Sequence, residues 1–196
     1  VTDYPIHDHL AHRWSPRAFV DRPVSTELLG SLFEAARSAA SCYNEQPRRF
    51  IVARREQQDE YKTLMSCLME GNQGWAMSAP VLGFGVAKKT FSLNGKPSRF
   101  FHHDLGLATA GLMTQATAHG LHVHAMGGIH PERAVEIYNV PDDFDVLNGF
   151  AIGYLGDPGT LDEDMRASEM EVRTRKPLEE TVFSSSWEMP AEFLQR

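Results

Sequence analysis

The sequence has only two cysteines, Cys42 and Cys67, which lie far apart in the chain without a Cys-x-x-Cys pair. This usage fits neither a disulfide framework nor a zinc ribbon, and it favours a reducing, cytoplasmic setting. No apolar stretch approaches the roughly 18 to 20 residues that span a bilayer, and the first residues carry no basic-then-apolar signal. We therefore expect no membrane partner. Because residue 1 is Val1 rather than Met, we also expect that the chain starts after a trimmed or processed end.

Positive charge is in deficit, with 19 basic against 26 acidic residues and a net charge of −7. This balance argues against a broad footprint on nucleic acid. The sequence also lacks a phosphate-binding Gly-x-x-x-x-Gly-Lys motif, a His-Glu-x-x-His zinc motif and a Gly-x-Ser-x-Gly nucleophile elbow. Gly83-Phe84-Gly85 falls inside an apolar run and has no third glycine, so it does not indicate a dinucleotide fingerprint. P-loop, Rossmann, zinc-protease and α/β-hydrolase functions are thus disfavoured.

What the chain does have is an average globular composition, with 196 residues of which 42% are hydrophobic. We expect one domain over residues 1–196, with peripheral tails at 1–10 and about 188–196. Apolar periodicity predicts helices over 25–40, around 61–69, over 105–118 and after Pro131, with strands at 50–53, 81–87 and 150–155. The 105–118 helix is apolar on every side, so it is predicted to be central to the fold or to a dimer interface. The acidic stretch 157–172 is interpreted as a solvated loop.

Two short cationic clusters stand out against the acidic background. Arg13-Trp14-Ser15-Pro16-Arg17 places two guanidinium groups and a hydroxyl within five residues, and Arg173, Arg175 and Lys176 follow near the other end. Arginine forks bind phosphate bidentately, and serine adds a neutral donor. Solvated turns are the plain alternative for both clusters.

Two other segments suit a planar ligand. Asn44 and Gln46 offer donors and acceptors to an imide-like edge such as that of a flavin or nucleobase. Met126-Gly127-Gly128 would let a ring approach the backbone closely. A helix end followed by a turn, and a simple loop, are the respective alternatives.

The nine histidines raise a metal hypothesis. His122 and His124 would share one face of a strand, whereas His102 and His103 would point apart. A histidine-based metalloenzyme is therefore kept as an alternative function.

Six segments occur together in an order that resembles the FMN-dependent nitroreductase family, from Arg13 to about Trp187. They are RWSPRAF, SCYNEQPRRFIV, Trp75-Ala76-Met77-Ser78-Ala79-Pro80, DLGLATAGLMTQATAHGLHVHAMGGI, FAIGYLGD and RTRKPLEETVF. The resemblance implies an α+β fold with a central, mostly antiparallel sheet flanked by helices, in an interlocked homodimer with FMN at the subunit interface. It also implies an enzyme that passes a hydride from NADH or NADPH via flavin N5 to an electron-poor small molecule, such as a nitroaromatic or a quinone, by a ping-pong mechanism.

The resemblance also assigns roles to residues of this chain. Arg13, Ser15 and Arg17, with Trp14 between them, would hold the FMN phosphate and ribityl chain, helped by Arg173 and Arg175. Asn44 and Gln46 would lie near the flavin, reaching it from the partner subunit. Met126, Gly127 and Gly128 would lie along the ring. No side chain is expected to act as a catalytic acid or base, because the flavin carries the chemistry.

The chain departs from the family pattern at two positions, since Trp14 stands where Arg is frequent and Arg48 stands where many members have Trp. The segment Thr90–Phe101 falls where members vary, and we expect it to line the substrate pocket. Flavin fragmentation and reductive dehalogenation are alternatives within the same resemblance, and an inert dimeric scaffold is a further one.

Overall fold

The computed structural model describes residues 3–194, which form two compact units. The larger unit is Ile6–Glu169, and the smaller one combines residues 3–5 with residues 170–194. Residues 1, 2, 195 and 196 of the two expected tails lie outside the described part of the chain.

The described residues contain seven α-helices and four strands. The helices are α1 (Asp8–His12), α2 (Thr26–Arg37), α3 (Gln58–Met65), α4 (Glu70–Ala76), α5 (Phe101–Ala118), α6 (Pro131–Tyr138) and α7 (Glu163–Met170). The strands are β1 (Arg48–Arg54), β2 (Val81–Lys88), β3 (His122–Met126) and β4 (Phe144–Gly153). The predicted elements over 25–40, 50–53, 61–69, 81–87, 105–118 and 150–155 all have counterparts here, and the helix after Pro131 is α6.

The four strands form one sheet in the order β1-β2-β4-β3, and all three pairings are antiparallel. This arrangement confirms the α+β prediction. It also makes β1 and β3 the two edge strands, separated by three strand spacings or about 14 Å.

Helices cover both faces of the sheet. On one face α2 and α5 bury Leu32 and Leu112 against Phe150 of β4. On the other face α3, α4 and α6 enclose a second cluster around Phe84 of β2, which includes Trp75. Side chains alternate between these faces along each strand. The larger unit therefore has three layers, with helices on both faces of the sheet.

The glycines of β2 are explained by this packing rather than by a nucleotide. A Cβ on Gly83 would lie 2.3 Å from the Phe150 ring, and one on Gly85 would lie 2.2 Å from Asn148 Oδ1. Both glycines therefore leave room for β4 side chains.

Helix α5 packs against α1, α2 and the sheet within the larger unit, yet it keeps exposed apolar residues. Leu105, Ala108 and Leu112 are buried, whereas Leu107 on another face is 39% exposed. The prediction that α5 is central to the fold agrees with these contacts, and its place in a dimer interface stays a prediction. An apolar face of this helix remains open.

The interpretation of 157–172 as a solvated loop is wrong. The stretch contains α7, and Glu169 in its last turn is buried. The carboxylate of Glu169 accepts backbone hydrogen bonds from the N-terminal segment, so its burial is compensated. A count of acidic residues cannot reveal that one of them faces inward.

The smaller unit holds the C-terminal residues. Phe183 pairs with Pro190 in an isolated bridge, Ala191 N–H donates to Val182 O at 3.1 Å, and Tyr4 Oη donates to Phe193 O at 3.4 Å. Ala191 and Leu194 are buried, while the Trp187 side chain is exposed.

Candidate functional site: a cationic segment along strand β3

The cationic segment Arg13–Arg17, the first of the two cationic clusters, follows α1 in an extended conformation. Arg13, Ser15 and Arg17 are half-buried, and Arg13 Nη1 donates to Ser15 Oγ at 3.1 Å. Two guanidinium groups and a hydroxyl therefore lie within one short segment. This donor set suits a phosphate.

The cluster lies along β3 through two contacts with histidines. The Trp14 ring meets the His122 ring edge-on, with 6.0 Å between centroids. His124 Nδ1 donates to Pro16 O at 2.9 Å, and because a carbonyl only accepts, Nδ1 must carry the proton. As predicted, His122 and His124 share one face of the strand, and Met126 follows on the same face.

Both histidines are shifted toward their neutral form. Burial is the main reason that the pKa of His122 lies below its usual value, and the Arg13 guanidinium lowers it further. Burial also lowers the pKa of His124, although its bond to Pro16 opposes the shift. His122 Nδ1 is buried and has no hydrogen-bond partner among residues 3–194. The positive charge of this region therefore comes from the arginines.

The buried carboxylate of Glu169 fixes the far end of the cationic segment. Its Oε1 accepts the Arg17 N–H at 2.8 Å and the Ala18 N–H at 3.2 Å, and its Oε2 lies 3.9 Å from Arg17 Nη1. The peptide unit between Pro16 and Arg17 is thus held at its carbonyl by His124 and at its N–H by Glu169.

The glycine pair follows the last residue of β3. Gly128 O accepts from Met69 N–H at 3.0 Å and from Asn72 Nδ2 at 2.9 Å, while a Cβ on Gly128 would lie 2.4 Å from that Nδ2. Gly127 is different, because a Cβ there would meet nothing within 4 Å. One glycine is therefore needed for packing, and the other borders open space.

A chain of contacts joins the glycine pair to the cationic segment. Asn72 Oδ1 accepts from Trp75 Nε1 at 3.2 Å, and the Trp75 ring lies 4.5 Å from the His124 ring. His124 in turn donates to Pro16. The structure therefore brings Arg13–Arg17 and Met126–Gly128 together along one strand.

Asn44 and Gln46 lie at the opposite edge of the sheet, in the loop before β1. This loop is held by Asp104 Oδ2, which accepts the Cys42 N–H at 3.0 Å. Tyr43, Asn44 and Gln46 all have positive φ, between 52° and 56°. Such conformations cost about 1 kcal/mol or more for non-glycine residues and are frequent at ligand sites. Within one chain, Asn44 and Gln46 are not brought to β3.

The 90–97 segment forms a hairpin beside this loop. Thr90 bridges to Pro97, and Ser92 Oγ donates to Glu45 Oε1 at 2.6 Å. The Phe91 and Tyr43 rings meet edge-on at 6.0 Å. The expectation that Thr90–Phe101 lines a substrate pocket stays a prediction.

Arg173 and Arg175 belong to the smaller unit. Both are exposed, and Arg175 Nη1 donates to Thr174 O at 2.7 Å. Their expected contribution to phosphate binding remains a prediction.

Sequence reasoning missed the supporting residues Asn72 and Glu169 and assigned His124 to a possible metal site. The alternation of His122 and His124 was the available signal, but it did not indicate a bond to Pro16. Among residues 3–194, no group of three or more His, Cys, Asp or Glu side chains is arranged to hold a metal ion. In that same range no helix has the length and apolar character needed to cross a membrane.

Known proteins resemble this chain in sequence and in structure. Residues 10–154 match the model of the nitroreductase family. A crystal structure described as an oxidoreductase containing FMN superposes with a TM-score of 0.90 and 39% identity, covering 95% of this chain and 94% of that one.

Two curated proteins also match. An uncharacterized 15.4 kDa protein of Mycolicibacterium smegmatis is 32% identical over 148 residues, covering 72% of this chain and 99% of its own length. An FMN reductase (NAD(P)H) of Bacillus subtilis strain 168 is 29% identical over 163 residues, or 74% of this chain. The match spans 64% of that reductase.

Proposed function

Because the chain belongs to the nitroreductase family, we propose that it is an FMN-dependent oxidoreductase that uses NADH or NADPH to reduce an electron-poor small molecule. Nitroaromatics and quinones are the proposed acceptors, in a ping-pong sequence. The relatives described as an FMN-containing oxidoreductase and an FMN reductase support this proposal.

The observation that carries the proposal is that the cationic segment lies along β3, the strand that is followed directly by the glycine pair. Arg13, Ser15 and Arg17 supply charged and neutral donors for a phosphate. Gly127 borders open space where a ring can lie against the backbone. The residues present therefore fit a flavin mononucleotide.

Each segment would then have one task. Arg13, Ser15 and Arg17 would bind the phosphate and ribityl oxygens, with the Trp14 ring packed against His122 behind them. Met126, Gly127 and Gly128 would support the ring, and their backbone N–H groups are the available donors. Arg173 and Arg175 follow Glu169 by four and six residues in the sequence, and we propose that they add charge to the same phosphate.

We further propose an interlocked homodimer. Asn44 and Gln46 lie about 14 Å of sheet width from β3, so a second copy must supply them if they contact the same flavin. The open apolar face of α5 around Leu107 is a suitable contact surface. Size-exclusion chromatography with light scattering tests this, and a monomer at micromolar concentration would contradict it.

Bound FMN would supply the redox chemistry by accepting a hydride at N5 and passing it on. The chain's own residues would bind, orient and shield the reacting groups. Burial lowers the pKa of both His122 and His124 and so favours their neutral forms, and His124 Nδ1 donates its proton to Pro16 O.

The test has two steps. Purified protein should show absorbance bands at about 370 and 450 nm, as oxidised flavin does. The flavin-loaded protein should then oxidise NADH or NADPH in the presence of menadione or nitrofurazone. A flavin-loaded protein without turnover would refute the reductase and favour a different flavin chemistry, and a colourless protein that cannot be loaded would refute the cofactor.

A further inference from the structure

A cavity lies away from β3, between α2 and the outer edge of β1. Its volume is about 470 Å³. Phe33 and Phe50 form its apolar walls, and Arg37, Arg48, Arg49 and Gln46 surround its polar end. The two phenyl rings are in contact, with 5.3 Å between their centroids and a tilt of 53°, so they form one continuous aromatic wall.

Arg48, the first residue of β1, carries an uncompensated charge at this cavity. The residue is only 7% exposed. Its Nη2 donates to Arg37 O, but its Nη1 is buried and has no hydrogen-bond partner among residues 3–194. An unpaired buried charge is strongly unfavourable, and burial indeed lowers the pKa of this guanidinium. The group still stays protonated, because arginine does not lose its proton in proteins.

The neighbouring acid does not neutralise Arg48 directly. Asp104 is the carboxylate whose charge acts on Arg48, yet it forms no ion pair with it within 4 Å. Its oxygens are instead used by the Cys42 N–H and the His103 ring. Arg48 is therefore a buried guanidinium at the cavity without a carboxylate in ion-pair contact among residues 3–194.

The charge balance around the cavity favours one additional negative charge. Arg37 is already paired with Glu34 through two contacts. Arg49 Nη1 donates to the carbonyls of Gln46 and Arg48, which does not cancel its charge. With Arg48 and Arg49 positive and Asp104 negative, the cavity favours a monoanion.

We propose that this cavity binds an aromatic carboxylate, with the carboxylate on Arg48 and the ring against the aromatic wall that Phe33 and Phe50 form. Gln46 belongs both to this cavity and to the segment proposed to face the flavin of a second copy. The cavity is therefore the subsite that gives the enzyme a preference for acceptors bearing a carboxylate, an acceptor role that rests on the proposed function.

Binding can be tested apart from turnover. Isothermal titration of the holoenzyme with 4-nitrobenzoate should give saturable binding, and the neutral 4-nitrobenzamide should bind at least about tenfold more weakly. Arg48→Met should reduce 4-nitrobenzoate affinity about tenfold or more and leave 4-nitrobenzamide unchanged. Arg48→Lys, which keeps the charge but not the fork, should fall between. Equal binding of the two ligands to the wild type would overturn the proposal whether or not the variants fold.

Arg54→Met is the matched control. Arg54 lies at the other end of β1 on the same face and also has a buried unpartnered nitrogen, but its Nη2 is paired with Glu56. This variant should bind 4-nitrobenzoate like the wild type, and a loss equal to that of Arg48→Met would overturn the assignment to Arg48.

Turnover separates the two proposals. The kcat/KM of the Arg48→Met holoenzyme should fall about tenfold for 4-nitrobenzoate and stay constant for 4-nitrobenzamide. Selective binding of 4-nitrobenzoate without turnover of either compound would refute the reductase and leave the carboxylate site standing. Turnover of both compounds, insensitive to Arg48, would refute the carboxylate site alone.

Discussion

Glu169 gives the most direct test of how the cationic segment is held in place. The side chain lies at the end of α7, and the residue is 7% exposed. It accepts the backbone N–H groups of Arg17 and Ala18 at 2.8 and 3.2 Å. Glu169→Ala removes both acceptors and leaves a cavity that a methyl group cannot fill.

The expected loss can be worked out from these contacts. Ala18 is fully buried, so its N–H would be left unsatisfied at about 1 to 3 kcal/mol, and the half-buried Arg17 N–H would be partly rescued by water. We expect Glu169→Ala to lower the free energy of unfolding by about 2 to 5 kcal/mol. Glu169→Gln keeps one carbonyl acceptor but loses the charge and replaces the second oxygen with an NH2 donor, so about 1 to 2 kcal/mol is expected.

Urea denaturation monitored by circular dichroism measures both values. Glu136→Ala, at an exposed site on α6, is the matched control and should change the free energy of unfolding by less than about 0.5 kcal/mol. FMN retention should follow the same order, because a displaced Arg17 no longer presents its guanidinium to the phosphate. A Glu169→Ala protein as stable as Glu136→Ala would refute the idea that this carboxylate anchors the segment.

Three further predictions concern the same site. Arg13→Ala and Arg175→Ala should each weaken FMN binding by about 1.5 to 3 kcal/mol in a fluorescence titration. Arg99→Ala, at an exposed position, is the control and should leave FMN binding unchanged. Unchanged FMN binding by both the Arg13 and the Arg175 variants would show that the phosphate lies elsewhere. Gly128→Ala should cost about 1 to 3 kcal/mol in stability, because its Cβ would displace the Asn72 amide. Gly127→Ala should leave stability unchanged and weaken only FMN binding. The reverse pattern would contradict the assignment of Gly128 to packing and of Gly127 to the ligand. The lowered pKa values of His122 and His124 mean that, below their ordinary value of 6.5, the unfolded chain takes up protons that the folded chain does not. Stability should therefore be complete above about pH 6.5 and fall with decreasing pH, by at most about 1.4 kcal/mol per pH unit for each histidine. His124→Asn, which keeps a donor for Pro16, should make that decline shallower in urea titrations from about pH 7.5 to about 5, and an unchanged slope would count against a buried neutral His124.

Much of the fold could be predicted from the chain because its strong signals are local. The period of Leu29, Leu32 and Ala36, with Ser25 Oγ capping the Leu28 N–H at 3.2 Å, specifies α2 without reference to the rest of the protein. The apolar run of β2 likewise specifies a strand buried on both faces.

Only part of the candidate site could be predicted from local sequence signals. Arg13, Ser15 and Arg17 form a recognisable cluster because they are close in sequence, and so do Gly127 and Gly128. The residues that hold them were hidden, since Glu169 is separated from Arg17 by most of the chain and lies in an acidic run typical of loops.

By itself the sequence determined the elements, the cationic clusters and the family resemblance, because periodicity, capping and short motifs depend on neighbouring residues. Only the tertiary structure decided that Pro16 lies on His124, that Glu169 turns inward and that Asn44 lies at the opposite edge of the sheet from Gly127. It also left Arg48 buried beside an aromatic cavity without a carboxylate in ion-pair contact among residues 3–194. These are contacts between residues far apart in the chain, and burial and hydrogen-bond satisfaction are properties of the packed molecule rather than of any one segment.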